Sequence, residues 1–201
     1  MAEFVAPIRG DSLMTHSGRM KNPLNEYYKV LKKLTDNRKK TDAHYLEISR
    51  IEWEGGLYLN DGVVAIPGAC IDASLFNGAK KTKNGVNWKQ GATVLEEFCP
   101  LKYKGKMIKL NGNKNGEIPN PMLDEFYPLH LDMRPEIVNK KAVLRSRPIF
   151  YDWSLTFTVL YDDEVFDERT IIEIIKKTGK YIGLCEKRPR IGGFELLGHE
   201  E

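Results

Sequence analysis

The sequence predicts an α+β fold whose C-terminal third forms a β-α-β segment. Three observations support this prediction: a stretch of strict alternation near the C terminus, an amphipathic helical stripe directly after it, and short strand-like segments bounded by glycine turns in the N-terminal half. A chain of 201 residues, 41% of them hydrophobic, can enclose one core. We therefore expect a single domain with insertions.

The alternating stretch is Trp153–Tyr161, with the sequence WSLTFTVLY. Large apolar side chains occupy every second position, which is the period of a half-buried strand. The residues between them include three hydroxyl side chains, so we expect this opposite face to be open to solvent or ligand. Those hydroxyl residues are Ser154, Thr156 and Thr158.

A helix is predicted directly after this strand. Asp167 can cap its first turn through the carboxylate, and four isoleucines together with Thr178 form one apolar stripe. Gly179 and Gly183 are candidate helix ends. Ile191–Leu197 then returns as a strand and completes the β-α-β segment.

The N-terminal part predicts the remaining elements of the core. A strand at Phe4–Arg9, a strand pair around the Asn60-Asp61-Gly62 turn and a helix at Ala69–Ala79 precede the C-terminal segment. This order is compatible with a ferredoxin-like or RNA-recognition-motif-like core. The other predicted elements are helices within Pro23–Leu34, Asp42–Trp53 and Met122–Tyr127, and strands at Thr93–Phe98, Lys106–Leu110 and Ala142–Tyr151.

Helical and hairpin insertions are expected to interrupt this core. Residues 80–120 are rich in glycine, asparagine and lysine, which favours a projecting hairpin or loop and not a second domain. We expect one domain over residues 1–201, with insertions near 15–56 and 80–128.

Composition excludes several function classes. Cys70, Cys99 and Cys185 are odd in number and form no CxxC pair, which argues against a disulfide framework and a zinc site. The sequence contains no phosphate-binding Walker loop, GxSxG or HExxH motif. It begins without a basic segment followed by an apolar one, and no apolar run approaches a membrane span. We expect a cytoplasmic protein without metal or cofactor.

Charge is unevenly distributed along the chain. The formal net charge is only +3, but residues 29–40, KVLKKLTDNRKK, contain six basic residues and one acid. Residues 80–109 are similarly basic, whereas acids gather in residues 161–168. Such basic segments are typical of polyanion binding, although a solvated helix face explains residues 29–40 equally well.

Two motifs carry the functional prediction. Residues 64–81, VAIPGACIDASLFNGAKK, combine a strand, a Pro-Gly turn and a helix, which on its own is typical of a tight turn that begins a helix. Residues 183–196, GLCEKRPRIGGFEL, place a Lys-Arg-Pro-Arg run between glycines. Glycines allow close approach to a ligand, and arginine offers planar donors that match phosphate oxygens. The second motif therefore predicts a phosphate-binding loop.

Together the two motifs resemble the RAMP superfamily, the backbone and repeat-processing subunits of CRISPR effector complexes. Its members carry a central strand–turn–helix of the type IPGSSLKGALR and end with a glycine-rich basic loop before a final strand. The matching positions are Ile66, Pro67, Gly68, Ala79, Lys80, Gly183, Lys187, Arg188, Arg190, Gly192, Gly193 and Phe194. The resemblance covers about half of the chain, which as a whole is similar to stand-alone, phage-encoded proteins of this type.

This resemblance implies a non-catalytic protein that binds single-stranded nucleic acid, either RNA or single-stranded DNA. Two departures are Asp72, where the family often has a basic residue, and Gly193, where many members have arginine. The candidate contacts are Lys32, Lys33, Arg38, Lys39, Lys40, Lys80, Lys81, Lys83, Trp88, Lys89, Arg145, Arg147, Lys187, Arg188 and Arg190.

Some of these residues have alternative interpretations. Trp88 either stacks on a base or fills a small core beneath the insertion. Arg145 and Arg147 lie two apart on a candidate strand, so their side chains face the same way. They either extend the phosphate-binding loop or pair with Asp152 and Asp163.

Two other functions stay open at this point. His16 lies in a polar segment with Ser17, Arg19 and Lys21, and a metal-independent endoribonuclease could use such a histidine as general base. Alternatively, the chain mimics or caps a CRISPR subunit as an interaction protein. Because RAMP backbone subunits stack head to tail, the resemblance also implies self-association into an oligomer or filament.

Overall fold

The computed structural model describes residues 1–109, 129–138 and 140–199 and confirms the α+β class. The chain divides into two compact units. Unit 1 comprises Met1–Met14, Leu59–Lys109 and Phe150–Glu201, and unit 2 comprises Thr15–Tyr58 and Leu110–Ile149. All of residues 15–56, where one insertion is predicted, thus belong to unit 2, whereas residues 80–109 belong to unit 1.

Unit 1 is built on an antiparallel sheet with the strand order β10-β1-β9-β6-β7. Short β4 also pairs with the end of β9, from Ala92 opposite Tyr161 to Val94 opposite Val159. The strands are β1 (Ala2–Met14), β4 (Ala92–Val94), β6 (Lys102–Tyr103), β7 (Lys106–Met107), β9 (Lys141–Tyr161) and β10 (Glu195–Leu196). A second sheet contains β2 (Leu59–Asn60), β3 (Val63–Pro67) and β5 (Phe98–Pro100) in the order β2-β3-β5.

The alternation predicted for Trp153–Tyr161 is confirmed. All five large side chains of this stretch at odd-numbered positions are buried, whereas Thr156 is exposed and Ser154 and Thr158 are half-buried. The strand predicted at Ala142–Tyr151 is continuous with it in β9. Asp152, which has a φ of 47°, lies at the junction of the two predicted strands.

Three helices complete unit 1: α3 (Gly68–Lys81), α4 (Gly85–Gly91) and α5 (Glu168–Tyr181). Helices α3 and α5 pack against each other. Helix α4 corrects the prediction of a projecting hairpin or loop after Lys80, because Trp88 holds this segment in the core. Of the predicted strand Ile191–Leu197, Glu195–Leu196 forms a strand, β10. Before it, Gly192 N donates to Ser12 O and Phe194 N donates to Gly179 O, so these two residues do not continue the ladder of β10.

Unit 2 contains a 3-10 turn (Gly18–Lys21), helices α1 (Glu26–Asp36) and α2 (Asp42–Gly56), and strand β8 (Leu131–Val138), which pairs antiparallel with the first residues of β9. Both helices are capped as their sequences suggest. Asn25 accepts from Tyr27 N, and Thr41 and His44 form a reciprocal capping box. The helix predicted at Met122–Tyr127 lies outside the described residues. Within the part of the chain that is described, no helix has the length and apolar character needed to cross a membrane.

The N-terminal cap of α5 predicts a specific response to acid. Thr170 N donates to the Asp167 carboxylate at 2.7 Å, and the bonds from Thr170 hold the pKa of Asp167 below its usual value. A lowered carboxyl pKa stabilises the fold above the unfolded pKa, and this contribution is lost as the pH falls through the folded pKa.

Asp167→Asn keeps an acceptor at this position but removes the titration. We expect the stability of the natural protein to decline relative to this variant below about pH 4, measured as urea midpoints at a series of pH values. A difference between the two proteins that stays constant from neutral to acidic pH would contradict this role of the carboxylate.

Candidate nucleic-acid interface

The basic loop, residues 183–194, is closed at its base by backbone hydrogen bonds. Leu184 N donates to Gly192 O at 2.7 Å, and Gly192 N donates to Ser12 O in β1 at 2.8 Å. Glu186 N also donates to Met14 O at 3.0 Å. The loop is therefore anchored on β1, while its tip, from Lys187 to Arg190, is exposed.

Gly192 has a structural role at the base of this loop. It has a φ of 89°, and a Cβ atom there would overlap the backbone oxygen of Leu184. Glycine is needed at this position because the two sides of the loop's own base approach each other closely. Gly192 is therefore required by the fold, and approach of the loop's glycines to a ligand stays a prediction.

The tip of the basic loop lies against α3. Arg188 Nη1 donates to Ser74 Oγ at 2.8 Å, and Ser74 is buried on that helix. Arg190 is exposed and makes no hydrogen bond or ion pair with the described residues. The hydrogen bond to Ser74 uses one guanidinium nitrogen of Arg188 and leaves donors of that exposed side chain for a ligand.

A second group of cations lies at the end of α3 and on α4. Lys80, Lys81, Lys83 and Lys89 are all exposed. The ammonium groups of Lys80 and Lys89 lie 4.1 and 4.9 Å from the centroid of the same Phe76 ring. The negative face of an aromatic ring attracts cations, so Phe76 holds two ammonium groups close together.

Helix α3 connects the two groups of cations. Ser74, which binds Arg188, precedes Lys80 by six residues, or about 9 Å along a helix that rises 1.5 Å per residue. We call the combined set the basic surface of unit 1. It consists of Lys80, Lys81, Lys83, Lys89, Lys187, Arg188 and Arg190.

Most cations of this surface lack an acidic partner. Among the described residues, no carboxylate lies within ion-pair distance of Lys80, Lys81, Lys83, Lys89, Arg188 or Arg190. An exposed lysine at the end of a helix usually has water as its partner. Six such cations along α3, α4 and the basic loop create a positive potential that attracts an extended anion.

Phe76 is a residue of the site that was not predicted from the sequence. It lies four residues before Lys80, and this spacing indicates a contact between the two side chains, because residues at i and i+4 are neighbours on a helix. The second lysine, Lys89, comes from α4, a helix that the composition of this segment did not predict.

Trp88 does not belong to the surface. Its side chain is 1% exposed, its Nε1 donates to Asp72 at 3.2 Å, and its ring packs edge-on to Phe166 with centroids 6.2 Å apart. Of the two interpretations, the structure supports the core and contradicts base stacking. A satisfied indole nitrogen in an apolar site is typical of a structural tryptophan.

The same contact gives Asp72 a structural role. Burial raises the pKa of this carboxyl, while the bond from Trp88 opposes the shift. Asp72 lies in the first half of α3 and joins that helix to α4 through Trp88. Its carboxylate is therefore engaged within unit 1 rather than directed at a ligand.

The arginines of β9 in unit 2 are also engaged internally. Arg147 donates twice to Glu136, with both distances 2.6 Å, and Arg145 pairs with Glu52 of α2. Glu52 accepts from Ser146 N as well, at 2.8 Å. Both arginines thus pair with glutamates, which were not among their predicted partners, and their contact with phosphate stays a prediction.

The basic run in α1 and after it belongs to unit 2. Lys40 Nζ donates to Thr35 O and Asn37 O, each at 2.8 Å, and so satisfies carbonyl groups at the end of α1. Lys29 pairs with Glu26. The remaining four basic side chains of the run are exposed, as on a solvated helix face, and their contact with nucleic acid stays a prediction. They are Lys32, Lys33, Arg38 and Lys39.

His16 is half-buried in the wall of a cavity of about 900 Å³ in unit 2. The side chains of Lys21 and Lys32 line the same cavity. Tyr58 OH donates to the backbone oxygen of His16 at 3.2 Å. The structure thus brings His16 and Lys21 to one cavity, and a catalytic role for this histidine stays a prediction.

The three cysteines are free thiols. Burial raises the pKa of Cys99 to about 12 and also raises the pKa of Cys185, which disfavours the reactive thiolate in both. Within residues 1–109, 129–138 and 140–199, no three histidine, cysteine or acidic side chains are placed to hold a metal ion.

No protein-family model and no curated protein matches the chain.

Proposed function

We propose that the protein binds single-stranded nucleic acid, without cleaving it, through the basic surface of unit 1. The observation that carries this proposal is the set of six exposed cations for which the described residues provide no acidic partner, distributed along α3, α4 and the basic loop. A nucleic-acid strand carries one phosphate per nucleotide and can contact cations along the whole surface, whereas a small anion contacts only those at one end. Lysine and arginine contacts to phosphates bind tightly and read no sequence.

The order of the elements supports a ferredoxin-like core of the RAMP type as part of this proposal. In chain order, β1, α3, β4, β9, α5 and β10 follow a β-α-β-β-α-β pattern. Strand β1 lies between β9 and β10, and β4 pairs with β9, as the corresponding strands do in a ferredoxin-like sheet. The basic loop then joins α5 to the last strand, which is its place in the RAMP pattern.

The side chains on the two faces of the sheet favour recognition of the phosphates of a strand over stacking of its bases. In β9, the aromatic side chains of Trp153 and Phe157 are buried and the opposite positions carry hydroxyl groups. RNA-recognition motifs that stack bases need exposed aromatic rings on a sheet face. The basic surface instead offers ammonium and guanidinium groups beside a helix.

A binding assay that also reports cleavage tests the proposal. Fluorescently labelled 20-nucleotide RNA and DNA strands are titrated with the protein and then recovered on a denaturing gel. We expect both strands to bind and to remain intact. Cleavage of RNA that is lost in His16→Ala would support the endoribonuclease instead, and the absence of binding at low salt would support an interaction protein.

Assembly along a strand is a further expectation of the RAMP resemblance. One unit 1 surface spans a few nucleotides, comparable to about 4–16 for a small single-strand module. We expect the number of bound proteins to rise with strand length, measured by mass photometry on strands of 10 to 60 nucleotides (about one to several such site sizes).

The charge reversal Lys83→Glu changes one cation of the basic surface and leaves α4 with its buried Trp88 intact. We expect it to reduce the number of proteins bound to a long strand. One protein per strand at every length would contradict assembly and leave a monomeric binder.

A further inference from the structure

Unit 2 contains a cavity whose size and lining fit one small ligand. Its volume is about 900 Å³, and its walls come from α1, α2 and the first part of β9. Cavities of roughly 300–1,000 Å³ are typical of small-molecule sites. This cavity belongs to unit 2 alone, so it is separate from the basic surface of unit 1.

One wall of the cavity is apolar and aromatic. Tyr28 and Leu31 of α1, Tyr45 and Ile48 of α2, and Leu144 of β9 all line it. Helix α1 buries none of its residues, so its apolar side is left in contact with the cavity. Tyr45 and Leu144 are 51% and 46% exposed, and such apolar surface gains free energy when a ligand covers it.

The two glutamates that line the cavity are already neutralised. Glu52 binds Arg145 and Ser146 N, and Glu136 accepts two bonds from Arg147. Both glutamates would otherwise repel an anionic ligand. Because their charges are paired, the remaining ionised side chains of the lining decide whether the cavity favours an anionic or a cationic ligand.

Those remaining side chains are mainly cationic. Lys21, Lys32 and Lys40 line the cavity, and Asp36 is the acid among the described lining residues that has no arginine partner. The ammonium group of Lys40 is held on backbone carbonyls. Lys21 and Lys32 make no ion pair with the described residues and are exposed. The charge of the cavity is therefore complementary to an anion.

We propose that this cavity binds a nucleoside phosphate. The base lies against the apolar wall that includes Tyr28 and Tyr45, and the phosphate is bound by Lys21 and Lys32. An apolar aromatic body joined to an anionic group is the ligand chemistry that satisfies both parts of the lining, because neither inorganic phosphate nor a neutral nucleoside covers the two together.

Calorimetric titration of the full chain with the four ribonucleoside monophosphates tests the proposal. Lys32→Glu and Lys33→Glu form a matched pair, because the two lysines are adjacent on α1 and only Lys32 is among the lining residues. We expect Lys32→Glu to weaken the binding about tenfold, as the loss of one charge-assisted contact does. Lys33→Glu should stay within about twofold of the natural protein.

A second matched pair tests the apolar wall. Tyr45→Ala is expected to weaken the binding about fivefold, whereas Leu46→Ala, at an exposed position outside the lining, should leave it unchanged. Equal effects of the two variants of either pair would overturn the proposal. So would the absence of binding at millimolar nucleotide, or displacement of the nucleotide by inorganic phosphate at equal concentration.

A variant of unit 1 distinguishes binding of a mononucleotide to the cavity from binding of a strand to the basic surface. Arg188→Ala with Arg190→Ala changes unit 1 only, so it should weaken binding of a 20-nucleotide strand and leave the affinity for mononucleotides unchanged. A parallel loss of mononucleotide affinity in that variant would place the nucleotide on the basic surface and overturn the assignment to the unit 2 cavity.

Discussion

Gly68→Val is expected to destabilise the protein by about 3 kcal/mol or more. A Cβ atom at this position would overlap the backbone oxygen of Glu96. The reason is this close approach and not a left-handed backbone, since Gly68 has no positive φ.

The segment that contains Glu96 cannot shift easily to make room. Gly68 N donates to Glu97 O at 2.8 Å, and the Glu96 carboxylate accepts from Thr158 N in β9, also at 2.8 Å. Movement of this backbone would break bonds to both α3 and the main sheet. The Pro67-Gly68 turn is therefore constrained by the packing of unit 1.

Ala69→Val is the matched control. Ala69 is the next residue of α3 and is exposed, so a valine there adds only the helix-propensity cost of about 0.5 kcal/mol. Urea denaturation of both variants, followed by circular dichroism, measures the two free energies of unfolding. Similar, near-neutral values for the pair would mean that the turn is an ordinary helix start.

Lys80→Glu combined with Lys89→Glu is expected to weaken single-strand binding roughly 100-fold, because two charge-assisted contacts worth about 1.5 kcal/mol each are lost. The two ammonium groups share the Phe76 ring, so both reversals act at one place on the basic surface. Fluorescence anisotropy with a labelled 20-nucleotide strand measures the affinity.

Lys176→Glu with Lys177→Glu on α5 is the control for the change in net charge. Neither lysine belongs to the basic surface, and Lys177 already pairs with Glu173. An equal loss of affinity in the control would show that binding depends on the overall charge of the protein and not on the cations around Phe76.

The predictable parts of this fold are those that depend on local periodicity. The alternation of β9 and the isoleucine stripe of α5 appear directly in the sequence, because a side chain's face follows from its position in the strand or helix. Asp167 likewise caps the helix that begins one residue later. Helix α4 was missed because its glycine, asparagine and lysine residues favour loops when taken alone, and only Trp88 links it to the core.

The candidate site was predicted only in part for a related reason. The basic loop was found because its cations are contiguous in sequence. The partners of Arg145 and Arg147 depend on pairs far apart in the chain, and Glu52 lies 93 residues from Arg145. No spacing rule identifies such a pair, so the sequence does not predict these two ion pairs.

The salt dependence of single-strand binding tests the central claim most directly. If the six unpaired cations of the basic surface contact phosphates, log K should fall with log salt with a slope of about −4, at about 0.7 per contact. The variant with Arg188→Ala and Arg190→Ala should have a slope shallower by about 1.4. Its thermal midpoint should stay within about 4 °C of that of the natural protein, because the bond from Arg188 to Ser74 contributes about 1 kcal/mol. The same slope in both proteins, or no binding by the natural protein at about 50 mM salt, would contradict the account.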